Sequence, residues 1–362
     1  MNFSKVKHPL CLLCSIGVTV FFLLYLYADT LNTGALKKLQ FYRSNSTRFS
    51  SNPDQSQTVA RSIDNCHKLL NISFRYKHLP VPCNESDRYV IAVHTSPDHL
   101  ENRNVIRSTW GQKAFGIKVL FLIANATESE SKGGFILEMI PDELLQPSID
   151  VEASEFKDII QSDFVDSYRN LSYKHVLALK FVVDYCSNIR YLIKVDDDSL
   201  VNTPNLKNFL DLYDSKYANS TNLLCNTMEY SPILRSGRWK VSEEMLAGKF
   251  YPKYCSGYFI IYPMAAVSAI YKESQKEDLK FLWVDDAFVS GVLAGKAGIG
   301  HTSISKLSLN YKDVEKFKQD FKEFGGRPFL VGKMNLDKED LKKLWAFLKD
   351  HVPKANILER IE

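Results

Sequence analysis

Residues 190–202 read RYLIKVDDDSLVN, a mostly apolar run that ends in three consecutive aspartates. Up to Val195 the apolar character is continuous rather than alternating, which is typical of a strand buried on both faces of a sheet. Asp196, Asp197 and Asp198 follow where this strand opens into a loop. Ligands of open α/β sheets bind outside the carboxyl ends of the strands. The stretch therefore predicts an α/β fold with a polar binding site at this edge.

The three carboxylates have the chemistry of a site for a hard divalent cation. Mg²⁺ and Mn²⁺ prefer carboxylate oxygens together with phosphate and water, so a nucleotide diphosphate is the expected co-ligand. The alternative for such a triplet is a solvated acidic turn. The buried strand in front of it, together with the secretory features described below, favours the metal site.

The sequence around this stretch alternates between strand and helix patterns. Short apolar runs at Tyr89–Thr95 and Lys118–Ala124 enclose a polar helical stretch at Leu100–Trp110, which is a β-α-β order. A helical pattern from Phe164 to Tyr185 leads into the aspartate strand. Further along, the sequence predicts a strand at Phe259–Tyr262 and helices at Ala265–Glu273, Asp286–Ala294 and Lys338–Asp350. The fold class is therefore α/β, in a domain at residues 88–362.

The N-terminal region has the composition of a membrane anchor followed by a tether. Residues 1–9 are polar and contain Lys5 and Lys7, whereas residues 10–28 carry no charge. About 20 apolar residues cross a bilayer, and this run ends in bulky aromatic residues rather than the small residues of a signal-peptide cleavage site. Residues 29–87 are rich in Ser, Asn and Thr and lack an apolar period. We predict a cytosolic tail, a transmembrane signal anchor and a flexible lumenal stem.

Glycosylation triplets and cysteines favour a lumenal position for the large domain. Six N-x-[ST] triplets follow the span, at Asn45, Asn71, Asn84, Asn125, Asn170 and Asn219. Five of the seven cysteines lie beyond the span, which permits two disulfides and one further thiol in an oxidising lumen. We expect Cys66 to pair with Cys83. The net charge of +4, without long basic runs, excludes an electrostatic footprint for nucleic acid.

Five segments resemble the motifs of one enzyme family and occur in that family's order. They are RNVIRSTWG from Arg103, YRNLSYK from Tyr168, YLIKVDDDSLVN from Tyr191, YPKYCSG from Tyr251 and DDAFVSG from Asp285. The set resembles glycosyltransferase family 31, the β-1,3-galactosyl- and β-1,3-N-acetylglucosaminyltransferases. The resemblance implies a GT-A (Rossmann-like) fold, a UDP-sugar donor, Mn²⁺ as cofactor and inversion at the anomeric carbon.

The chain departs from the family pattern at several positions. Asp285 stands where the family usually has Glu, and Ala287 where it has Val. Tyr258 follows the YPKYCSG segment, where the family continues with a small residue. Lys333 lies near the last helix, where related enzymes tend to carry a histidine, and His301 is the nearest substitute. These departures concern the acceptor side and the metal site.

The chemistry of sugar transfer, read together with the resemblance, suggests a role for each candidate residue. Inversion requires a base on the acceptor hydroxyl and a metal on the leaving diphosphate. Asp286, at a predicted helix start, is the predicted catalytic base, and the alternative is a simple N-cap. The predicted metal ligands are Asp198, Asp196 and His301. The predicted donor-binding residues are Arg103, Arg107, Lys174, Asp196 and Asp197, and the acceptor-side residues are Tyr254, Ser256, Gly257 and Asp285.

The leading hypothesis is Mn²⁺-dependent, inverting transfer of a hexose from a UDP-sugar to a hydroxyl of a glycoprotein or glycolipid, forming a β-1,3 linkage. Galactose is the first choice of sugar and N-acetylglucosamine the alternative. A different class of function is an inactive relative that binds glycans or assists another transferase, because a fold does not guarantee activity. The anchor and triplets predict a single-pass type II protein of the Golgi membrane with a lumenal catalytic domain.

Overall fold

The computed structural model describes residues 65–114, 116–126, 142–311, 313–323, 328–334 and 337–351. The predicted tail, the predicted anchor and the stem up to residue 64 lie outside the described residues, as does Asn45. Within the described ranges, no helix combines the length and apolar character needed to cross a membrane.

Most strands belong to one large sheet. The strands are β1 (His67–Leu69), β2 (Ile72–Phe74), β3 (Tyr76–His78), β4 (Tyr89–His94), β5 (Ile117–Asn125), β6 (Ile159–Val165), β7 (Tyr191–Asp196), β8 (Ser199–Val201), β9 (Leu223–Met228), β10 (Tyr254–Pro263), β11 (His301–Ser303), β12 (Ser308–Tyr311) and β13 (Val331–Met334). The large sheet has the order β11-β9-β10-β7-β4-β5-β6-β3, a smaller one has the order β12-β13-β8, and β1 pairs with β2.

The helices lie between the strands along the chain, as the alternating sequence pattern predicts. They are α1 (Leu100–Ser108), α2 (Asp142–Phe156), α3 (Leu171–Tyr185), α4 (Thr203–Tyr217), α5 (Met264–Ser274), α6 (Val314–Glu323) and α7 (Lys338–Asp350), with a π-helix at Ala287–Leu293 and a short α-helical turn at Ala294–Lys296. The sequence predicted α7 with the same bounds. Asp337 caps it by accepting a hydrogen bond from the Asp340 N–H at 2.8 Å.

The centre of the large sheet is buried on both faces. Tyr89, Ile91 and Val93 of β4 pack into one apolar cluster, whereas Val90 and Ala92 pack into another on the opposite face. This alternation is the period of two that a strand imposes on its side chains. Strand β7 divides in the same way, because Ile193 packs into the first cluster and Leu192 into the second. The α/β fold class and the prediction that the strand before the aspartates is buried on both faces are therefore confirmed.

The strand order places a binding crevice at the carboxyl ends of β4 and β7. Strand β4 pairs in parallel with β5 on one side and with β7 on the other, so the chain changes direction across the sheet at β4. A crevice opens at such a switch point because the connections leave in opposite directions. Strand β10 then runs antiparallel to β7 and brings its beginning, at Tyr254, toward the same edge.

Two predicted helices differ from the structure. The helix predicted from Phe164 begins only at Leu171, because β6 continues to Val165 and a 3-10 turn follows. The helix predicted at Asp286–Ala294 is instead the π-helix. Here the Ser290 hydroxyl donates to the Asp286 carbonyl at 2.5 Å and competes for a helical acceptor. Such wide turns are frequent at functional sites.

The predicted stem extends too far, and the predicted disulfide is wrong. Strand β3 pairs with β6, and Cys83 forms a disulfide with Cys186, so the domain begins near His67 rather than at residue 88. Cys225 and Cys255 form a second disulfide, while Cys66 is free and exposed. Strands of three residues are too short to show a period, and each cystine joins cysteines distant in sequence.

Candidate active site

A cavity of about 650 Å³ opens at the carboxyl ends of β4 and β7. Several segments that are far apart in sequence meet there. Of the predicted site residues, those that line it are Lys174, Asp196, Asp197, Asp198, Ser256, Gly257, Asp285 and Asp286. Arg103, Arg107, Tyr254 and His301 are absent from its wall. The cavity is large enough for a nucleotide-sized ligand.

One wall of the cavity is the turn between β7 and β8. Asp196 is paired with Lys194, whose Nζ lies 2.6 Å from its Oδ1 and also donates to the carbonyl of Gly257. Burial acts to lower the pKa of the Lys194 ammonium, but the charges of Asp196 and Asp285 outweigh it and raise that pKa. Lys194 therefore stays charged and joins the β7 wall to the start of β10.

The next two aspartates of this turn differ from each other. Asp197 accepts hydrogen bonds from Thr95 at 2.6 Å and from His99 at 2.7 Å. Burial acts to raise the pKa of Asp197, yet the bond and charge of His99, the bond from Thr95 and the charge of Lys174 together outweigh burial and lower that pKa. Asp198 is exposed, and it accepts a long hydrogen bond from the Ser199 hydroxyl at 3.5 Å. Asp198 is thus the carboxylate of the triplet that faces the cavity without an ion pair among the described residues.

A second wall of the cavity contains Asp285 and Asp286, at the start of the π-helix. The Asp285 carboxylate lies 3.0 Å from Nδ1 of buried His175, whose Nε2 lies 2.8 Å from the Tyr262 hydroxyl. Burial lowers the pKa of His175, so the neutral ring donates to Asp285 and accepts from Tyr262. The bond from His175 and the charge of Lys194 outweigh burial and lower the pKa of Asp285.

Asp286 has the environment of a proton acceptor. Its Oδ1 accepts the Ala287 N–H at 2.7 Å, which caps the π-helix. Burial, followed by the negative charge of Asp285, raises the pKa of Asp286 to about 6. Gly257 lies so close that an added Cβ would be 3.1 Å from the Cβ of Asp286. The glycine therefore permits the approach of β10 to this carboxylate.

The metal prediction fits this site only with a phosphate ligand present. Among the described residues, no group of three or more His, Cys, Asp or Glu side chains could hold a metal ion by itself. Asp198 has an available carboxylate, whereas Asp196 shares its oxygen with Lys194. Mg²⁺ and Mn²⁺ commonly take one or two carboxylates and complete their shell with substrate phosphate and water. The residues therefore fit a cation that arrives with a diphosphate.

His301 is not placed to complete such a metal site. Its Nε2 lies 2.6 Å from the Ser290 carbonyl, inside the π-helix, and the side chain does not line the cavity. Burial lowers the pKa of His301. The prediction of His301 as a ligand beside Asp198 is therefore wrong. One of its two ring nitrogens is already bonded to backbone.

The two arginines of the first motif do not reach the cavity. Arg103 is fully buried, and its guanidinium forms a bidentate pair with Glu152 at 2.7 and 2.8 Å. The same group donates to the Ser96 carbonyl at 2.6 Å. Arg107 pairs with Glu152 and Asp158. The prediction of direct donor contacts by these arginines is contradicted, because their donors are occupied by Glu152 on α2 and by Asp158 in the connection between α2 and β6.

Arg103 still matters for the cavity through the loop that it holds. This side chain bonds the carbonyls of Ser96 and Pro97, and both residues line the cavity wall. Lys174 plays a similar part: its Nζ donates to the Thr95 carbonyl at 2.9 Å and pairs with Asp166 at 2.7 Å. Both cations therefore order the loop after β4.

Tyr254 also lies outside the cavity wall, contrary to the acceptor-side prediction. It is half-buried and packs against Tyr251, with ring centroids 5.8 Å apart. Ser256, Gly257 and Asp285, the other predicted acceptor-side residues, do line the cavity. Strand β10 begins at Tyr254, and its pairing with β9 is irregular between Cys255 and Ile260, so simple alternation does not assign the residues of this segment to one face.

Sequence reasoning missed the residues that balance the charges of the site. Lys194 and His175 are buried at 3% and 0% exposure and hold Asp196 and Asp285. Lys194 had a visible signal, since a lysine inside a buried apolar strand requires a partner. His175 had none, because its partners Asp285 and Tyr262 are remote in sequence.

The glycosylation triplets divide into two groups by geometry. Asn71, Asn84 and Asn219 are exposed. Asn125 and Asn170 are half-buried, and their Nδ2 atoms donate to the carbonyls of Asp163 and Val165 at 2.8 Å. The nitrogen that would receive a glycan is therefore already bonded in the second group.

Comparison with known proteins identifies the relatives of this chain. The chain is 29% identical over 236 residues to the mouse acetylgalactosaminyl-O-glycosyl-glycoprotein β-1,3-N-acetylglucosaminyltransferase, covering 64% of this chain and 58% of the relative. It is 30% identical to the Xenopus tropicalis lactosylceramide 1,3-N-acetyl-β-D-glucosaminyltransferase, covering 60% and 56%. It is 31% identical to the rat UDP-GalNAc:β-1,3-N-acetylgalactosaminyltransferase 1, covering 52% and 55%.

The alignments thus span a little over half the length of these curated relatives. A family model described as galactosyltransferase matches residues 101–305, which is more than half of this chain. The matched region contains the β7–β8 turn, the start of the π-helix and most of the cavity wall. The motifs, their order and this match agree: the chain belongs to the galactosyltransferase family, glycosyltransferase family 31.

Proposed function

We propose that this chain is a GT-A glycosyltransferase that moves a sugar from a UDP donor to a glycan hydroxyl with inversion, forming a β-1,3 linkage. The observation that carries the proposal is that two carboxylates line different walls of the same cavity. Asp198 is exposed in the turn after β7, and Asp286 lies at the start of the π-helix with its pKa raised to about 6. Asp198 is suited to hold the cation of a leaving diphosphate. Asp286 is suited to accept the proton of an attacking hydroxyl.

Asp286 accepts the proton of the acceptor hydroxyl as that oxygen attacks the anomeric carbon. The new bond joins the acceptor oxygen to this carbon while the bond from the carbon to the phosphate oxygen breaks, and UDP leaves with the bonding electrons. With a pKa near 6 the carboxylate is largely ionised at neutral pH and is a stronger base than an ordinary aspartate. Asp285 is held by His175 and fixes the start of the π-helix, from which Asp286 projects.

Asp198 and Asp196 would hold Mn²⁺ together with the donor diphosphate. The bound cation would supply charge neutralisation for the leaving group. The exposure of Asp198 supports this role, and the ion pair with Lys194 limits Asp196 to a supporting one. The loop after β4, ordered by Arg103 and Lys174, forms the remaining wall at the nucleotide side.

The donor sugar is proposed to be an N-acetylhexosamine, with galactose as the second candidate. The names of the three relatives specify transfer of N-acetylglucosamine or N-acetylgalactosamine, which supports this order. The name of the mouse relative specifies a glycoprotein acceptor and that of the Xenopus relative a glycolipid acceptor, and we propose the same classes here. Galactose was the donor sugar predicted first from the sequence, and UDP-galactose is therefore one of the donors to be assayed.

We also propose a type II position in the Golgi membrane, with residues 10–28 as the anchor. The exposure of Asn71, Asn84 and Asn219 supports a glycosylated lumenal domain. Glycosidase treatment of the cell-expressed chain should increase its gel mobility, and replacing these three asparagines with Gln should remove most of that shift. An unchanged mobility would contradict the lumenal position.

The decisive experiment incubates the detergent-solubilised full chain with UDP-galactose, UDP-N-acetylglucosamine or UDP-N-acetylgalactosamine. Lactose and a GalNAc-bearing glycopeptide serve as acceptors, with and without Mn²⁺. One donor should give a β-1,3-linked product that depends on the metal and disappears in the Asp286→Asn variant. Binding of UDP and glycan without any transfer would instead favour the inactive glycan-binding function.

A further inference from the structure

An aromatic cluster borders the cavity beside Asp285 and Asp286. Tyr168 lines the cavity and is 43% exposed. Its ring lies 4.9 Å from that of Trp239, which is 42% exposed, at an interplanar angle of 77°. A third ring, Trp283, stacks on Trp239 at 5.9 Å and is buried. Two large rings therefore remain open to solvent at the cavity rim.

The segment that carries Trp239 is held in place by specific bonds. It lies between β9 and β10, and Arg235 donates to the carbonyls of Val241 at 2.9 Å and Leu246 at 3.0 Å within it. The indole N–H of Trp283 donates to the Lys240 carbonyl at 3.3 Å. The ring of Trp239 is therefore fixed against a buried partner. A ring ordered in this way binds a ligand with little further loss of conformational entropy.

Two arginines give the cluster hydrogen-bond donors. The guanidinium of Arg238 lies 5.7 Å from the Tyr168 ring and 5.8 Å from the Trp239 ring. Arg169 lies over Trp283 at 3.8 Å and donates to the Arg238 carbonyl at 3.2 Å. Both side chains are exposed, and neither has a carboxylate partner among the residues described. Their donors can thus reach a polar ligand on the rings.

The surface combines a flat apolar ring with fixed donors, which matches the chemistry of a pyranose. A sugar has one face of C–H groups that packs on an aromatic ring and a rim of hydroxyls that accept hydrogen bonds. Burial, followed by the charges of Asp285 and Asp286, raises the pKa of the Tyr168 hydroxyl, and Tyr168 lines the same cavity as these two aspartates. The cluster is therefore continuous with the proposed acceptor side.

We infer that Tyr168, Trp239 and Arg238 form a subsite for the second sugar of the acceptor, the residue linked to the sugar whose hydroxyl is glycosylated. The inference rests on the proposed function and names its acceptor class: a glycan of at least two sugars rather than a single sugar. Trp239 supplies the stacking face. Arg238 supplies donors to the hydroxyls of that second sugar.

The test compares acceptors that differ only by this second sugar. Methyl β-galactoside is paired with lactose, and methyl β-N-acetylgalactosaminide with N-acetylgalactosaminyl-β-galactose, using the full chain and the donor found active. Trp239→Ala should raise the KM for the disaccharide about 3- to 10-fold and leave the KM for the methyl glycoside unchanged, because only the disaccharide reaches the ring. Trp239→Phe should keep most of the wild-type preference, and Arg238→Ala should give a smaller rise.

The control variant is Phe250→Ala. Phe250 is 52% exposed in the same segment and contacts Tyr230 at 6.4 Å rather than Tyr168. It should change neither KM. The KM for the UDP-sugar and the rate of donor hydrolysis by water should stay at wild-type values in all four variants, which reports that the fold and the donor site are intact.

Three outcomes would overturn the subsite. A disaccharide preference that survives Trp239→Ala excludes stacking on this ring. Butyl β-galactoside binding as tightly as lactose, with the same sensitivity to Trp239→Ala, shows a general apolar contact rather than a sugar subsite. Equal KM values for the methyl glycoside and the disaccharide in the wild type exclude a second-sugar site. Absence of transfer to every acceptor is a different failure, since it removes the proposed function itself.

Discussion

The aspartates at the end of β7 and those at the start of the π-helix face one cavity, but their charges are balanced differently. At the β7 edge, Asp196 and Asp197 are held by Lys194 and by His99 with Thr95. That edge leaves Asp198 exposed. At the π-helix edge, a neutral imidazole holds Asp285, and Asp286 keeps a raised pKa.

The difference shows how a cluster of like charges can prepare one member for chemistry. A fully paired carboxylate is a weak base and a poor metal ligand, because its lone pairs are already used. The paired members instead fix the backbone from which the available one projects. At the β7 edge the available group is exposed and suits a cation. At the π-helix edge it is partly buried beside a like charge and suits a proton.

The largest effect is expected for Asp286→Asn. It should lower kcat by about 10²- to 10⁴-fold while leaving the KM for the UDP-sugar unchanged, because a general base contributes only to the chemical step. The asparagine side chain can still accept the hydrogen bond from the Ala287 N–H. The variant also removes a carboxylate whose raised pKa shows that its charge is unfavourable in the folded state, so the Tm should not fall. Steady-state kinetics measure kcat and KM, and thermal unfolding measures the Tm.

Asp285→Asn serves as the matched comparison, since it should lower Tm more and kcat less than Asp286→Asn. It loses the charged partner of buried His175. If Asp286→Asn kept most of its turnover, or lost folding and donor binding together, the carboxylate would be structural.

Lys194→Met should destabilise the fold by about 1–3 kcal/mol, because it removes the buried ammonium that bonds Asp196 and the Gly257 carbonyl, while the Asp196 side chain, at 37% exposure, regains part of its hydration. Urea denaturation measures the free energy of unfolding. The control is Lys207→Met, an exposed pair with Asp211 on α4, which should cost no more than about 1 kcal/mol. Equal losses of unfolding free energy for the two lysine variants would show that the bonds of Lys194 to Asp196 and to the Gly257 carbonyl contribute no more to stability than an exposed ion pair.

Asp198→Asn should weaken UDP binding about 10- to 100-fold in Mn²⁺ and leave it unchanged in chelator, because the carboxylate acts through the cation. Calorimetric titration of UDP under both conditions gives the comparison. Glu315→Gln, at an exposed position on α6, should behave as wild type. A loss of binding that persists in chelator would mean that Asp198 contacts the nucleotide directly or shapes the turn.

The smallest effect concerns pH. Asp286 works as a base when deprotonated, so kcat/KM should be level above pH 7 and fall about tenfold per unit below pH 6, the region of its pKa. Because the charge of Asp285 raises that pKa, Asp285→Asn should move the midpoint to lower pH. Initial rates at constant ionic strength measure both profiles. An unchanged midpoint would show that the two carboxylates do not interact.

Much of the fold follows from local patterns. The buried strand before the aspartates, the helix at Lys338–Asp350 and the β-α-β order around Leu100 were predicted because periodicity and capping act over a few residues. The candidate site was predicted in part: Asp196, Asp198, Gly257 and Asp286 do line one cavity. Their chemical roles stay predictions. The errors fall where a residue's environment depends on a distant segment.

The α/β class, the family and the carboxylates at the strand end could be read from the amino-acid sequence, since each rests on short motifs of neighbouring residues. The pairing of Arg103 with Glu152, the disulfide between Cys83 and Cys186, and the different pKa shifts of Asp285 and Asp286 became visible in the folded structure. Burial, ion pairing and disulfide formation depend on which distant segments come into contact, and local sequence patterns do not specify those contacts.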